Sequence, residues 1–449
     1  MMSLAEAAAA MGARTAGGEL RFDGVSTDTR SIGQGQLFVA IRGERFDGHD
    51  FLAAAKARGA AAALVDEKYS GPTPLPVLVA DDTRPALGRL GRHWRLRFAP
   101  AVMAIAGSNG KTTSKEMLAS ILRRHAGEGG ALATRGNLNT DIGVPLTLLE
   151  LRASHRYCAI ELGMNHPGEI AQLADIARPT VALVNNAQRE HLEFMHSVEA
   201  VAAENASVFD ALPDDGIAVL NADDAMAGVF RAKAGSRKRI EFGVESGDVT
   251  GRYALKPLES EIVVRTPSGE ARATLAIPGL HNVRNALAAA ACAHAAGIPA
   301  AANGAGLSAF RPYAGRLQLK QTAAGATLLD DSYNANPDSV RAAIDVLATC
   351  QGPTALVLGD MGEVGERGPE FHAEVGRYAK QKGISALLAF GSASRESVHA
   401  FGEGARHFDD WSEIASGLKD AKTILVKGSR FMRMERVVAA LSGQNGTQH

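Results

Sequence analysis

Cysteine is scarce in this chain. Cys158, Cys292 and Cys350 are its three thiols, far apart and without a CxxC pair. That excludes a disulfide framework and an evident zinc set, and it suits a reducing compartment. Neither sign of charge is in excess: 48 Lys and Arg face 49 Asp and Glu, a formal net charge of −1. A global nucleic-acid binder usually carries a clear basic surplus, so no nucleic-acid partner is expected. A local anion site is compatible with this balance, because a few backbone amides and one lysine suffice for a phosphate. Long hydrophobic runs are missing too. The most apolar stretch, Ala286 to Ala293, lies between Asn285 and His294. It is too short to span a bilayer, so no membrane insertion is expected. The alanines Ala7 to Ala10 do not read as a secretory signal: Glu6 precedes them, no basic segment leads in, and Gly12-Ala13-Arg14 cuts the run short. A soluble cytoplasmic protein is the expectation. Glycine (48) and proline (17) stay below the low-complexity range.

What the chain does have is length and apolar content. Its 449 residues are 46% hydrophobic and 22% charged, values typical of globular domains with ample cores. At about 150 residues per domain, roughly three domains are expected. The pattern is α/β throughout. Residues 1–98 read as a small α/β domain, with strands at 35–41 and 61–65, helices at 51–58 and 84–96, and a turn-rich connector at 71–76. Residues 99–312 begin with Ala101-Val102-Met103-Ala104-Ile105-Ala106, a continuous apolar run that fits a strand buried on both faces of a parallel sheet. A glycine loop and a helix over 112–124 follow, then strands at 157–161 and 180–185, which predicts a doubly wound, P-loop-type sheet. Residues 249–275 are richer in strand signals and fit an antiparallel edge, and 286–296 is helical. Residues 313–449 repeat the alternation in a Rossmann-like manner. Strands are expected at 354–358, 386–390 and 423–426, helices at 369–382 and 431–441, and a frayed polar tail at 443–449.

The strongest motif is Gly107-Ser108-Asn109-Gly110-Lys111-Thr112-Thr113, which leaves a buried strand and opens a helix. Glycines let backbone N–H groups converge on phosphate oxygens, and the helix N-terminus adds a favourable dipole. Lys111 can reach the β and γ phosphates, and the Thr112 hydroxyl can ligate Mg²⁺. The loop is a shortened G-x-x-G-K-T, since the first glycine of the longer pattern would fall at Ile105; the bland alternative is an ordinary strand–turn–helix turn.

Other residues could complete an ATP–Mg²⁺ site. Glu161 ends a buried strand at the sheet edge where ligands gather, so it could hold the metal; a capping or surface glutamate is the alternative. His191 follows the next strand on a polar loop, where a metal role competes with simple solvation. His196 reads as surface. Asn137, Asn139 and Thr140 sit in the glycine-bounded loop Gly136 to Gly143. Their amides and hydroxyl suit phosphate, metal water or substrate, or an Asx-rich turn. Asn282 and Asn285 precede the alanine-rich helix, where Asn285 could read an adenine edge or cap the helix.

These pieces, in this order, resemble the Mur ligases, the ATP-dependent amide ligases of bacterial peptidoglycan synthesis, over essentially the whole chain. The match runs through Asp28-Thr29-Arg30, Phe46-Asp47-Gly48-His49-Asp50-Phe51, the Gly107 loop, Glu161-Leu162-Gly163-Met164 and Gly279 to Asn285. It ends with Gly315-Arg316, Asp330 to Pro337 and Lys427-Gly428-Ser429-Arg430. Within the family, the Asp330 to Pro337 and Lys427 to Arg430 regions, with the Phe46-Asp47-Gly48-His49 segment, resemble the member that joins D-alanyl-D-alanine to UDP-N-acetylmuramoyl-tripeptide. The sibling that adds the third amino acid carries an Asp-Asn-Pro-Arg motif, absent here. Folylpolyglutamate synthases share the loop but lack the UDP-type N-terminal domain.

The resemblance implies a division of labour. The first domain would hold the UDP-sugar through Asp28, Thr29, Arg30, Gly43 and Asp47. The central domain would hold ATP and Mg²⁺ through Gly107 to Thr113, Asn137, Asn282 and Asn285, with Thr112, Glu161 and His191 on the metal. Arg316 and Asp331 would contact phosphate and ribose. Asn139, Thr140, Tyr333, Asn334, Asn336, Lys427, Ser429 and Arg430 would face the peptide substrates. Lys111, Glu161, His191 and Arg316 would carry the catalysis, in a monomer. Many family members use a carbamylated lysine to help hold a second Mg²⁺; the matching position here is Asn205, which cannot be carbamylated. Two other classes would share the phosphate loop: a small-molecule kinase, and a nucleotide-binding module without turnover.

Overall fold

The computed structural model describes residues 1–15 and 19–443, so the expected frayed tail lies almost wholly outside the described residues. Three larger sheets follow one another along the chain. The first has five short strands in the order Arg14–Thr15, Val77–Ala80, Ala62–Asp66, Leu37–Val39 and Val25–Ser26; all neighbours are parallel except the first pair. The strand expected at 35–41 shrinks to three residues, and the expected helix at 51–58 is a 3-10 turn, Gly48–Phe51, leading into the helix Leu52–Ala57.

The central sheet has six strands, all parallel, in the order Lys238–Phe242, Ile217–Asn221, Val181–Val184, Ala101–Ala106, Tyr157–Glu161 and Ala131–Ala133. The chain starts in Ala101–Ala106, builds two strands to one side, then crosses to Val181–Val184 on the other. The strand order therefore reverses at the carboxyl end of Ala101–Ala106, the place where open α/β sheets bind ligands. Every residue of that strand except Ala101 is fully buried, as the unbroken apolar run predicts.

The strand-rich segment after residue 249 is not an edge of this sheet. It forms its own three-stranded antiparallel sheet, Thr250–Leu255, Ser260–Thr266 and Gly269–Leu275. Its alternating burial, clearest in Ser260–Thr266, turns one face onto the core. The helix beneath it starts earlier than expected, spanning Leu280–Ala295. Gly279, at φ +99°, makes the turn into it, and a Cβ there would lie 2.7 Å from both His281 and Val346. Asn282 and Asn285 are thus inside the helix, which removes the capping reading of Asn285. Ala286 to Ala293 are fully buried all round, as expected of a helix without a polar face.

The third large sheet runs Gln318–Gln321, Thr327–Asp331, Thr423–Lys427, Thr354–Gly359, Ala386–Phe390 and Ala405–Phe408, parallel except for its first pair. The helix Pro337–Leu347 follows a capping box in which Asn336 and Ser339 bond each other's backbone, with Pro337 in the first turn. The expected helix 431–441 is shortened to Glu435–Leu441, because Arg433 takes a left-handed conformation at φ +51°. One buried cluster joins the central sheet to the third, and another joins it to the first. Among the described residues no helix is long and apolar enough to cross a membrane.

Candidate functional site

The loop after Ala101–Ala106 is held by side chains from the neighbouring strand ends. The Gly107 N–H donates to Asn205 Oδ1 at 2.8 Å, and the Ser108 N–H to the Asn186 carbonyl at 3.0 Å. The Asn109 N–H donates to Asn186 Oδ1 at 2.8 Å, while the Asn185 and Asn186 amides both donate to the Asn109 carbonyl. Gly107 and Gly110 take positive φ, and a Cβ on Gly110 would lie 2.2 Å from Asn285 Oδ1. Only glycine tolerates both that backbone and that approach. The helix Lys111–Ala126 then starts without a side-chain cap, which leaves its first N–H groups available to an anion.

Lys111 folds back over the loop. Its Nζ donates to the Gly107 and Ser108 carbonyls at 2.6 and 3.0 Å and lies 3.4 Å from both Glu190 carboxylate oxygens. Thr112 Oγ1 donates to Glu161 Oε1 at 3.0 Å, and Asn139 Nδ2 donates to the same oxygen at 3.0 Å. The other Glu161 oxygen, Oε2, is buried and has no hydrogen-bond partner among the described residues. A buried carboxylate oxygen without a donor is costly unless a cation faces it. Thr112 and Glu161 therefore suit a hard divalent cation.

His191 reaches the same cleft in another state than a neutral ligand. Its backbone is left-handed at φ +52°. Its Nε2 lies 3.5 Å from Glu190 and its Nδ1 2.6 Å from Glu363. Burial pulls its pKa down, but the two carboxylates outweigh this and push it up to about 9. The two carboxylates favour the protonated ring, and a metal ligand at this position requires the neutral one. Burial also raises the Glu190 carboxyl, yet Lys111 and His191 bring it below its usual range. Among the described residues no three His, Cys, Asp or Glu side chains converge as a metal site by themselves.

A cleft of about 1050 Å³ opens over these groups and is walled by all three sheets' loops. Glu44 and Arg84 enter from the N-terminal side, Asn139, Thr140 and Asp141 from the central side, and Arg316, Tyr333, Asn334, Lys427, Ser429 and Arg430 from the C-terminal side. Arg316 stacks its guanidinium 4.1 Å from the Tyr333 ring and reaches Thr112 Oγ1 at 3.4 Å. Asn336 Nδ2 donates to Asn109 Oδ1 at 2.9 Å, a direct tie from the third sheet to the phosphate loop. An adjoining pocket of about 550 Å³ is lined by Thr113, Asn185, Asn282, Asn285, Arg316 and Asp331, the size and polarity of a nucleoside site.

Not every expected residue joins the cleft. Asp28, Thr29, Arg30, Gly43, Asp47 and Asn137 are absent from its walls. Asp28 pairs with Arg30 at 2.7 Å, and Asp47 is engaged by Arg42 and by the buried His49 ring. Lys427 is buried against Asp331 at 2.5 Å and donates to the Asn334 carbonyl, so its charge is already matched; Arg430 stays exposed. Burial raises the Asp331 carboxyl and lowers the Lys427 ammonium. Glu44, Arg84 and Glu190 line the cleft although no motif marks them; for Glu190 the one usable signal was its place beside His191 on a post-strand loop.

The chain matches three family models along its length: "Mur ligase family, catalytic domain" over 21–94, "Mur ligase middle domain" over 105–293 and "Mur ligase, glutamate ligase domain" over 315–430. It is 43% identical to the UDP-N-acetylmuramoyl-tripeptide–D-alanyl-D-alanine ligase of Escherichia coli, with 96% of each chain covered. It superposes on a crystal structure of MurF from Acinetobacter baumannii with a TM-score of 0.90 at 34% identity, covering 98% of each chain. It also superposes on the MurF ligase of Thermotoga maritima in complex with ADP, with a TM-score of 0.82 at 26% identity, covering 95% of this chain and 98% of that one. The fold and cleft define a three-part α/β ligase that activates its substrate with ATP. The chain belongs to the Mur ligase family.

Proposed function

We propose that this chain joins D-alanyl-D-alanine to UDP-N-acetylmuramoyl-tripeptide in peptidoglycan synthesis, releasing ADP and phosphate. The observation that carries the reading is the single cleft in which the phosphate loop meets polar side chains from all three sheets. A bisubstrate ligase needs that arrangement, and the relatives at up to 43% identity carry the name of this reaction.

A carboxylate is a poor acyl donor. In this reading the tripeptide's terminal carboxylate attacks the γ-phosphorus of ATP, forming an acyl phosphate and ADP. The deprotonated amine of the dipeptide then attacks the acyl carbon, and the tetrahedral intermediate collapses to the amide and inorganic phosphate. Catalysis rests on positioning and on charge. Lys111 leaves the loop carbonyls for the phosphates, and Arg316, levelled by Tyr333, approaches from the third sheet. Thr112 and Glu161 would hold Mg²⁺, which neutralises phosphate charge and orients the transferring group. Asn185, Asn282 and Asn285 line the adjoining pocket that would take the base, and Asp331 would lie near the ribose. Closure of the three walls over the substrates would exclude water and protect the acyl phosphate. The sugar nucleotide enters past Glu44 and Arg84, and for Asp28 to Arg30, Gly43 and Asp47 to touch it their present pairings must open. Arg430, exposed and paired with Glu435 at 3.3 Å, would turn its guanidinium to the dipeptide carboxylate.

The product tests the proposal. Incubation with ATP, Mg²⁺ and both substrates should give a uridine nucleotide heavier by one dipeptide residue mass, read by mass spectrometry. A phosphorylated small molecule in its place would establish a kinase.

A further inference from the structure

The walls of the large cleft are mostly polar and charged, as nucleotides and carboxylates require. Its apolar members Met164, Leu173 and Ala335 are buried and offer a substrate almost no surface. The Tyr333 ring is already faced by the guanidinium groups of Arg316 and Arg430, 4.1 and 5.6 Å away. Phe431 differs from all of these. It lines the same cleft with 64% of its surface exposed. A lone exposed phenylalanine on an outer surface needs no explanation, but one set in a ligand cleft is apolar area waiting to be covered.

The backbone fixes this ring in place. Phe431 is the middle residue of the 3-10 turn Arg430–Met432, and Ser429 anchors the turn at its start. The Ser429 N–H donates to the Asp360 carbonyl at 3.0 Å. Its Oγ accepts from the Gly362 N–H at 2.7 Å and donates to the Ala335 carbonyl at 3.1 Å. At the other end the Met432 N–H donates to the Ser429 carbonyl at 2.9 Å, and Arg433 leaves the turn in a left-handed conformation at φ +51°. One side of the ring rests on Gly362, where a Cβ would stand 2.7 Å from Phe431 Cε1. A side chain at 362 would displace the ring. The aromatic surface is thus presented to the cleft before any ligand arrives, which keeps the entropic cost of using it low.

The chemistry of the occupant follows from the place. The adjoining base pocket does not include Phe431, and Glu44 and Arg84, past which the sugar nucleotide enters, belong to the opposite, N-terminal wall. The dipeptide is the substrate read onto the third sheet, and its apolar groups are two methyls. Arg430, the residue before the ring, is the one that would turn to the dipeptide carboxylate. The methyl beside that carboxylate is therefore the group that meets the neighbouring ring. We propose that Phe431 sets the preference for the incoming dipeptide, its ring covering the side-chain methyl of the carboxyl-terminal D-alanine. The inference rests on the dipeptide reading given under Proposed function and adds the contact that selects the methyl.

Steady-state kinetics test it. The full-length chain, saturated with Mg-ATP and UDP-N-acetylmuramoyl-tripeptide, is given D-alanyl-D-alanine or D-alanyl-glycine, which lacks that methyl. One methyl group in an apolar contact is worth about tenfold, so the wild type should show a KM about tenfold higher for D-alanyl-glycine. Phe431→Ala should raise KM for D-alanyl-D-alanine by about tenfold and move KM for D-alanyl-glycine by less than about twofold, which abolishes the preference. Phe431→Leu keeps an apolar side chain and should keep a preference of about threefold. The change falls on KM, whereas a damaged fold would lower kcat with both dipeptides. A Phe431→Ala enzyme that still prefers D-alanyl-D-alanine tenfold, or a wild type that does not distinguish the two, would overturn the proposal. A wild type that forms no amide with either dipeptide would overturn the dipeptide reading beneath it.

Discussion

The phosphate loop and the exposed turns of the first sheet are both expected to hold phosphate groups, and the fold treats them in opposite ways. The loop at Gly107 to Thr113 is built before any ligand arrives: asparagine side chains from 185, 186 and 205 fix its backbone, and its lysine already points into the cleft. Asp28 pairs with Arg30 and Asp47 with Arg42, and neither carboxylate reaches the cleft wall. An anion site made of backbone amides is preorganised by the chain itself. A site made of exposed side chains is completed by its ligand and by domain movement.

Four substitutions sharpen this contrast, from the largest effect to the smallest. Lys111→Ala should lower kcat by about a thousandfold or more, since it removes the charge aimed at the transferring phosphate, with circular dichroism unchanged. Retained turnover would remove the loop from the mechanism. Asn205→Ala leaves the buried Gly107 N–H unpaired and should cost about 1–3 kcal/mol in denaturant unfolding, with weaker nucleotide binding. Arg30→Ala lies in a solvent-exposed pair and should change stability by less than about 1 kcal/mol; its effect should appear in KM for the sugar nucleotide, not in kcat.

The fourth concerns the clasp that joins the central and third sheets. Arg189 bonds Asp338 and Glu374, and Arg341 adds to Glu374. Arg189 holds the Glu374 carboxyl down to about 2 from its ordinary 4.5. A depressed folded pKa contributes stability above the unfolded value and loses it as pH falls through the folded one. Between pH 5 and 2 the wild type should therefore lose more stability than Glu374→Gln; equal slopes would show that the clasp is electrostatically idle.

How far the sequence could be read follows the same division. The apolar strands of the central sheet, the phosphate loop and the carboxylate of Glu161 are local patterns, and each stands where its pattern put it. Asn285 precedes an alanine run, where a cap competes with an adenine contact, yet the helix starts earlier and Asn285 lies inside it, accepting from Asn185 and donating to Asn282. The pairing of Lys111 with Glu190 spans 79 residues and that of Arg189 with Asp338 spans 149. No local periodicity encodes such contacts. His191 was legible as a cleft residue but not as a cation, because Glu363 comes from the third sheet.

The central claim is a ligase that couples ATP to two substrates, and phosphate release tests it most directly. Mg-ATP is given to the chain with UDP-N-acetylmuramoyl-tripeptide, with and without D-alanyl-D-alanine. Sustained release that requires both substrates is the predicted result. Release that continues unchanged without the dipeptide, from a folded and ATP-binding sample, would contradict it.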